Sequence, residues 1–120
     1  MIVLIDSDIL IEVARGRDAA ILKKWAELAE SDDVALYSPV SAAELWHGAR
    51  PKERKAFGDL FRTLTCAPLD AETGKQAGEY SRVYDVELRD ALIAAGAVQN
   101  RATLWTRNRK HYPMKGLTFY

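Results

Sequence analysis

Two patterns of apolar and polar residues alternate along this chain: short unbroken apolar runs, and longer stretches with apolar residues three to four apart. The first run, IVLI at 2–5, has no polar interruption and predicts a strand buried on both faces. Helical spacing follows. Ile9, Leu10 and Val13 predict a helix over 8–15 that Gly16 stops, and Ile21, Leu22, Trp25, Leu28 and Ala29 predict a second over 18–30. VALY at 34–37, closed by Ser38-Pro39, predicts another strand. Further helices are expected through SAAELWHGA and over 51–64. A short apolar stretch, CAPL, ends at Asp70, which can cap a helix over 71–84. After a break at 85–86, an alanine-rich helix is expected over 88–98. The chain then reads as a strand ATLWT, a polar loop RNRKHYPMKG and a last strand LTFY. Strands alternating with helices predict an α/β fold, a parallel sheet with helices on both faces. The length predicts a single domain over 1–120.

Composition narrows the picture little. Hydrophobic residues at 48% and charged residues at 28% are ordinary for a globular chain and exclude a disordered or fibrous one. The single cysteine, Cys66, excludes an intrachain disulfide; its apolar setting predicts a small core residue in a reducing compartment. The opening apolar run is far too short for a signal peptide or a membrane span, so a cytoplasmic protein without a membrane anchor is expected. Seventeen basic residues balance seventeen acidic ones, yet they are unevenly placed. Residues 101–120 hold Arg101, Arg107, Arg109, Lys110 and Lys115 with no acid, whereas ELAESDD at 27–33 is acidic. A basic end on a neutral chain can contact phosphates, and a solvated loop explains it equally well.

In open α/β sheets ligands bind beyond the carboxyl ends of the strands, which makes the position of the acids informative. Asp6 and Asp8 directly follow the first strand, Glu44 lies on the helix after the second, Asp90 begins the alanine-rich helix, and Asn108 follows ATLWT. Each has a local explanation. Asp8 can be the N-cap of the first helix, and Ser41 with Glu44 fits a capping box. Asp90 can act on the helix dipole, and Asn108 can form an Asx turn. Asp6 is the exception: it ends a buried strand, where an unpaired carboxylate is costly, so a compensating partner is required.

The stretches VLIDSDIL, SAAELWHGA, LRDALIAAG and LWTRN resemble, in order and spacing, the motifs of the PIN domain, specifically the VapC-type toxins of toxin–antitoxin pairs. The resemblance runs over essentially the whole chain. It implies a three-layer α/β/α sandwich around a parallel sheet, with Asp6, Glu44, Asp90 and Asn108 at the family's site positions. Two positions depart from the family pattern. Asp8 stands where Asn, Ser or Cys is common, and Asn108 where Asp is frequent.

The resemblance further implies an endoribonuclease that hydrolyses RNA phosphodiester bonds with a divalent metal. Oxygen donors without a His–Cys cluster suit Mg²⁺ or Mn²⁺. Asp6, Glu44 and Asp90 are the expected metal ligands, with Asn108 orienting a water and Thr106 holding Asp6 or a water through its hydroxyl. Since clustered carboxylates repel, removing one is expected to spare or raise stability without metal. Arg107, Arg109 and Lys110 are expected on the RNA backbone, His111 at the surface, and Trp46 and Trp105 in the core. A cognate VapB-like antitoxin and a homodimer are the implied partners. Two rivals remain. One is a catalytically idle PIN-like module that binds RNA or protein. The other is a haloacid-dehalogenase-like phosphatase, since DSDIL resembles its D-x-D-x-T/V loop; Leu10 at the Thr/Val position and the short chain rank it lower.

Overall fold

The computed structural model describes residues 1–120. Strand β1 (Ile2–Ile5) is followed by helices α1 (Ser7–Arg15) and α2 (Ala19–Glu30), then β2 (Val34–Tyr37) and α3 (Pro39–Gly48). A 3₁₀ turn, Pro51–Glu53, leads into α4 (Arg54–Arg62), and the two-residue β3 (Thr65–Cys66) follows. Helices α5 (Ala71–Tyr84) and α6 (Leu88–Gln99) precede β4 (Thr103–Trp105) and a 3₁₀ turn at Arg109–His111. The strands form one parallel sheet in the order β3-β2-β1-β4. The expected last strand is only a single bridge, Phe119 beside Leu104, held by backbone bonds from Leu104 to Thr118 and from Tyr120 to Leu104.

The unbroken apolar run of β1 is explained by its central place in the sheet. Side chains alternate between faces, so Leu4 enters one core and Val3 and Ile5 the other. With Leu4 lie Leu36, Leu104 and the alanine face of α6 (Ala91, Ala94, Ala95, Ala97), covered by Ala77 and Tyr80 of α5. The opposite core joins Ile9 and Leu10 of α1 to Ile21, Leu28, Leu45, Phe57 and Leu60 of the other helices, with Trp105 from β4. Each fully buried leucine, isoleucine or phenylalanine among them contributes about 1.5–3 kcal/mol by leaving water. Small residues let α6 approach the sheet: a methyl added at Gly96 would stand 3.9 Å from Leu4, an ordinary contact.

Capping sets several boundaries. Asp18 accepts from Ile21 N–H and Asp70 from Thr73 N–H, starting α2 and α5 where the sequence predicts. Gly16 ends α1 with φ +67°, a conformation open to glycine at little cost. Two residues expected in the core are exposed. Cys66 sits on the two-residue edge strand β3, where one face has no neighbour. Trp46, 46% exposed, lies on the outer face of α3 under the Arg54 guanidinium. No helix is long and apolar enough to cross a membrane.

The strand order places the site. From β1 the chain moves outward to β2 and β3, then returns to lay β4 on the other side of β1. Connections leaving β1 and β4 therefore diverge, and a crevice opens at the carboxyl ends of these two strands.

Candidate active site

A cleft of about 570 Å³ occupies that crevice. Asp6, Asp8, Glu44, Asp90 and Asn108 all border it, with Arg89, Lys110 and His111. Residues from β1, α3, α6 and the loop after β4 are thus brought together across up to 102 positions of sequence, from Asp6 to Asn108.

Asp6 is 2% exposed and fully partnered. Its Oδ1 accepts from Ser7 N–H and from Arg89 Nη2, both at 2.8 Å. Its Oδ2 accepts from the hydroxyls of Thr106 (2.9 Å) and Tyr112 (2.7 Å). Four donors on one carboxylate satisfy both oxygens and fix its orientation. The expectation about stability took the acids as unpaired; Asp6 is paired by the chain itself, which argues for a loss of stability on its removal.

Arg89 is the centre of the arrangement. Its Nε donates to both oxygens of Glu44 (3.0 and 3.1 Å), its Nη2 to Asp6, and its Nη1 to Asp90 Oδ1 (2.8 Å) and the Tyr112 oxygen (2.7 Å). One guanidinium fork thereby joins three carboxylates from three elements. Burial opposes the charge on Arg89, but the hydrogen bond to Glu44 and the nearby charge of Asp6 outweigh it and hold its pKa above the ordinary value. Tyr112 is likewise pushed up, by burial first and then by the Asp6 charge, so it stays protonated and keeps its bond to Asp6. No group of three or more carboxylate, thiol or imidazole side chains stands ready to hold a metal ion by itself, because the acids converge on the arginine.

The local readings of two acids fail. Asp6, not Asp8, is the N-cap of α1, since the helix begins immediately after the strand, at Ser7. Asp8 lies in the first turn and accepts from the N–H groups of Ile9 and Arg107 and from the Asn108 side-chain amide (3.1 Å). Burial, then the charge of Asp6, raises its pKa above the ordinary carboxylate value. The capping box does not form either. Ser38 is the N-cap of α3, Ser41 is buried and Glu44 faces the cleft, where the Ser7 hydroxyl donates to Glu44 (2.7 Å) and lies 2.8 Å from Ser41 Oγ.

Of the residues expected near the acids, Thr106 touches Asp6, and its hydroxyl accepts from Asn108 N–H. Asn108 reaches the cleft but donates to Asp8, away from the other three acids. Lys110 and His111 line the cleft. Arg107 faces Asp8, Glu12 and Asp18 at 3.8–3.9 Å, and Arg109 stacks over Phe119. Arg89, Tyr112 and Ser7 were not singled out in the sequence. Their signals were an arginine adjoining Asp90, an aromatic in an otherwise polar basic loop, and a serine between two acids.

The sequence model of the PIN domain matches residues 3–117. Ribonuclease VapC10 of Mycobacterium tuberculosis is 36% identical over 93% of this chain and 86% of its own length. Ribonuclease VapC19 of the same organism is 31% identical over 92% of each. Among solved structures, VapBC2 of Rickettsia felis, bound to a promoter DNA fragment, superposes with a TM-score of 0.84 at 23% identity, covering 100% of this chain and 98% of that one. VapBC-1 of nontypeable Haemophilus influenzae gives 0.82 at 21% identity, covering 100% and 97%. At those identities the two structures speak for the fold.

Proposed function

Because the chain belongs to the PIN domain family, we propose that it is a VapC-type endoribonuclease, the toxin of a type II toxin–antitoxin pair, cutting RNA at the cleft around Arg89 with a divalent cation. The observation that carries this reading is the meeting of Asp6, Glu44 and Asp90 on one cationic group at the switch point of the sheet. Three carboxylates facing one guanidinium leave negative charge in excess. The donors are all oxygen, which fits a hard ion such as Mg²⁺ or Mn²⁺ once the guanidinium yields its place. Asp6, Glu44 and Asp90 would hold the ion, which when bound supplies an acidified, oriented water and neutralises charge on phosphoryl oxygens.

The chain's own residues do the rest. Tyr112, Thr106 and the Ser7 N–H fix both oxygens of Asp6, so the deepest carboxylate keeps one direction. Asn108 restrains Asp8 at the cleft edge and can orient a water there. Lys110 borders the cleft and is placed to take an RNA phosphate, and Arg107 and Arg109 of the same loop would add phosphate contacts outside the cleft. Phosphate contacts of this kind position the strand without reading its sequence. A VapB-like antitoxin, a homodimeric toxin and a cytoplasmic site of action complete the reading. Light scattering of the purified chain, with and without the product of the adjacent reading frame, checks the first two.

An RNA pool incubated with increasing Mg²⁺ or Mn²⁺, followed by mapping of the cut ends, tests the activity. Metal-dependent cleavage by the native chain and none by Asp6→Asn is expected. Cleavage that survives a chelator, or survives in the variant, contradicts the reading. Absence of cleavage at every metal concentration favours the idle binding module, whose acids serve only to seat Arg89.

A further inference from the structure

We propose that Arg89 is a resident counter-cation that closes the acidic site and exchanges with a divalent ion, so that metal enters only as the guanidinium leaves. The proposal rests on the ribonuclease reading for its purpose but on the structure for its substance. Arg89 bonds to Asp6, Glu44 and Asp90 at once, at 2.8–3.1 Å, and these are the oxygens a metal would need. A divalent ion among those acids would stand close to the guanidinium, and the two cations repel while competing for the same carboxylate lone pairs. The side chain also has a way out to solvent. It is 29% exposed at the cleft, on the first turn of α6, and its stem can swing outward while the helix stays packed. The turn before it is set by Asp85, which ends α5 with φ +53°.

Displacement has a second consequence. A guanidinium released from three carboxylates is left at the mouth of a cleft proposed to receive RNA, and its planar fork matches a phosphate in two hydrogen bonds. A bound phosphate would then stabilise the open position of Arg89, and RNA would promote metal entry. Arg89 is thus a positioning residue for the ion and a gate on its site.

Two measurements test this without RNA cleavage as the readout. The first is Mn²⁺ affinity, by electron paramagnetic resonance, for the native chain, Arg89→Gln and Arg62→Gln, the last an exposed arginine on α4 paired with Asp59 outside the cleft. Arg89→Gln is expected to bind tighter by on the order of ten- to a hundredfold, and Arg62→Gln to match the native chain. The second uses the native chain alone, so it does not depend on the variant folding. In ¹⁵N spectra the Arg89 Nε–H, bonded to Glu44, is expected to shift and lose protection from solvent exchange as Mg²⁺ is added. Equal Mn²⁺ affinity in Arg89→Gln and the native chain, Mg²⁺ binding that leaves the Arg89 signal unchanged, or no ion binding in either form would each overturn the proposal. Tighter binding in Arg89→Gln, with no RNA cleavage by the native chain under any metal, would instead overturn the ribonuclease reading and leave the exchange standing.

Discussion

Two arginines in this chain each face three acids, and the contrast between them separates a built site from a charged surface. Arg89 meets Asp6, Glu44 and Asp90 through directed hydrogen bonds of 2.8–3.1 Å, with Tyr112 accepting another. Arg107 stands 3.8–3.9 Å from Asp8, Glu12 and Asp18 and is 47% exposed. Composition is nearly the same in the two clusters. What differs is directed bonding around one buried acid: the Arg89 guanidinium bonds directly to Asp6, 2% exposed, while the Arg107 guanidinium comes no closer than 3.8 Å to any of its acids. A screened pair is worth about 0–1 kcal/mol, whereas breaking a buried one leaves an uncompensated charge. Three acids around an arginine therefore do not identify a site by themselves; the second layer of Tyr112, Thr106 and Ser7 distinguishes the Arg89 cluster.

The largest effect of breaking this contrast should come from Asp6→Asn. The variant loses the charge that pairs Arg89 and two hydroxyl donors, and chemical denaturation should show a loss of about 2–3 kcal/mol. Tyr112→Phe is next. It removes one donor to Asp6 and one acceptor from Arg89, and a loss of about 1–2 kcal/mol is expected in the same assay.

Asp8 gives a smaller, pH-dependent effect. Its folded pKa is raised above the ordinary 3.8, so the folded chain holds this proton more tightly than the unfolded one. The resulting stability falls as pH rises through the window between 3.8 and the raised value. Asp8→Asn abolishes that loss. Relative to the native chain, the variant should gain stability as pH is raised from about 3.5 to about 6, by less than about 1 kcal/mol. A flat difference across that range would show that Asp8 is as solvated as an ordinary surface carboxylate. Smallest of all, Arg107→Ala should change stability by no more than about 0.5 kcal/mol, and less at high salt.

The same contrast explains what could be read from the sequence. Local signals sufficed for β1, whose apolar run matches burial on both faces, and for α2 and α5, whose caps Asp18 and Asp70 act within three residues. The parallel order of the sheet followed from the alternation of strands and helices. Asp6 could be picked out because it directly follows a buried strand, whereas Glu44 and Asp90 were gathered with it through the resemblance of their motifs to the PIN domain. Local rules misled where a tertiary contact competed. Glu44 leaves its capping box for Ser7 and Arg89, 37 and 45 residues away, and Asp6 caps a helix while ending a strand. Arg89 and Tyr112 reach Asp6 over 83 and 106 residues, and nothing in the helix pattern encodes those distances. The exposure of Cys66 and Trp46 was hidden for a similar reason, since an edge strand and an outer helix face look apolar in sequence.

The most direct test compares one acid from each cluster in the same RNA-cleavage assay, using Asp90→Asn and Asp18→Asn at a fixed, saturating Mg²⁺ concentration. Both changes keep the shape of the side chain, and asparagine at Asp18 can still cap α2. Cleavage should disappear in Asp90→Asn and remain at the native level in Asp18→Asn. Native cleavage by Asp90→Asn, or its loss in Asp18→Asn with the fold intact, would contradict the placement of the site around Arg89.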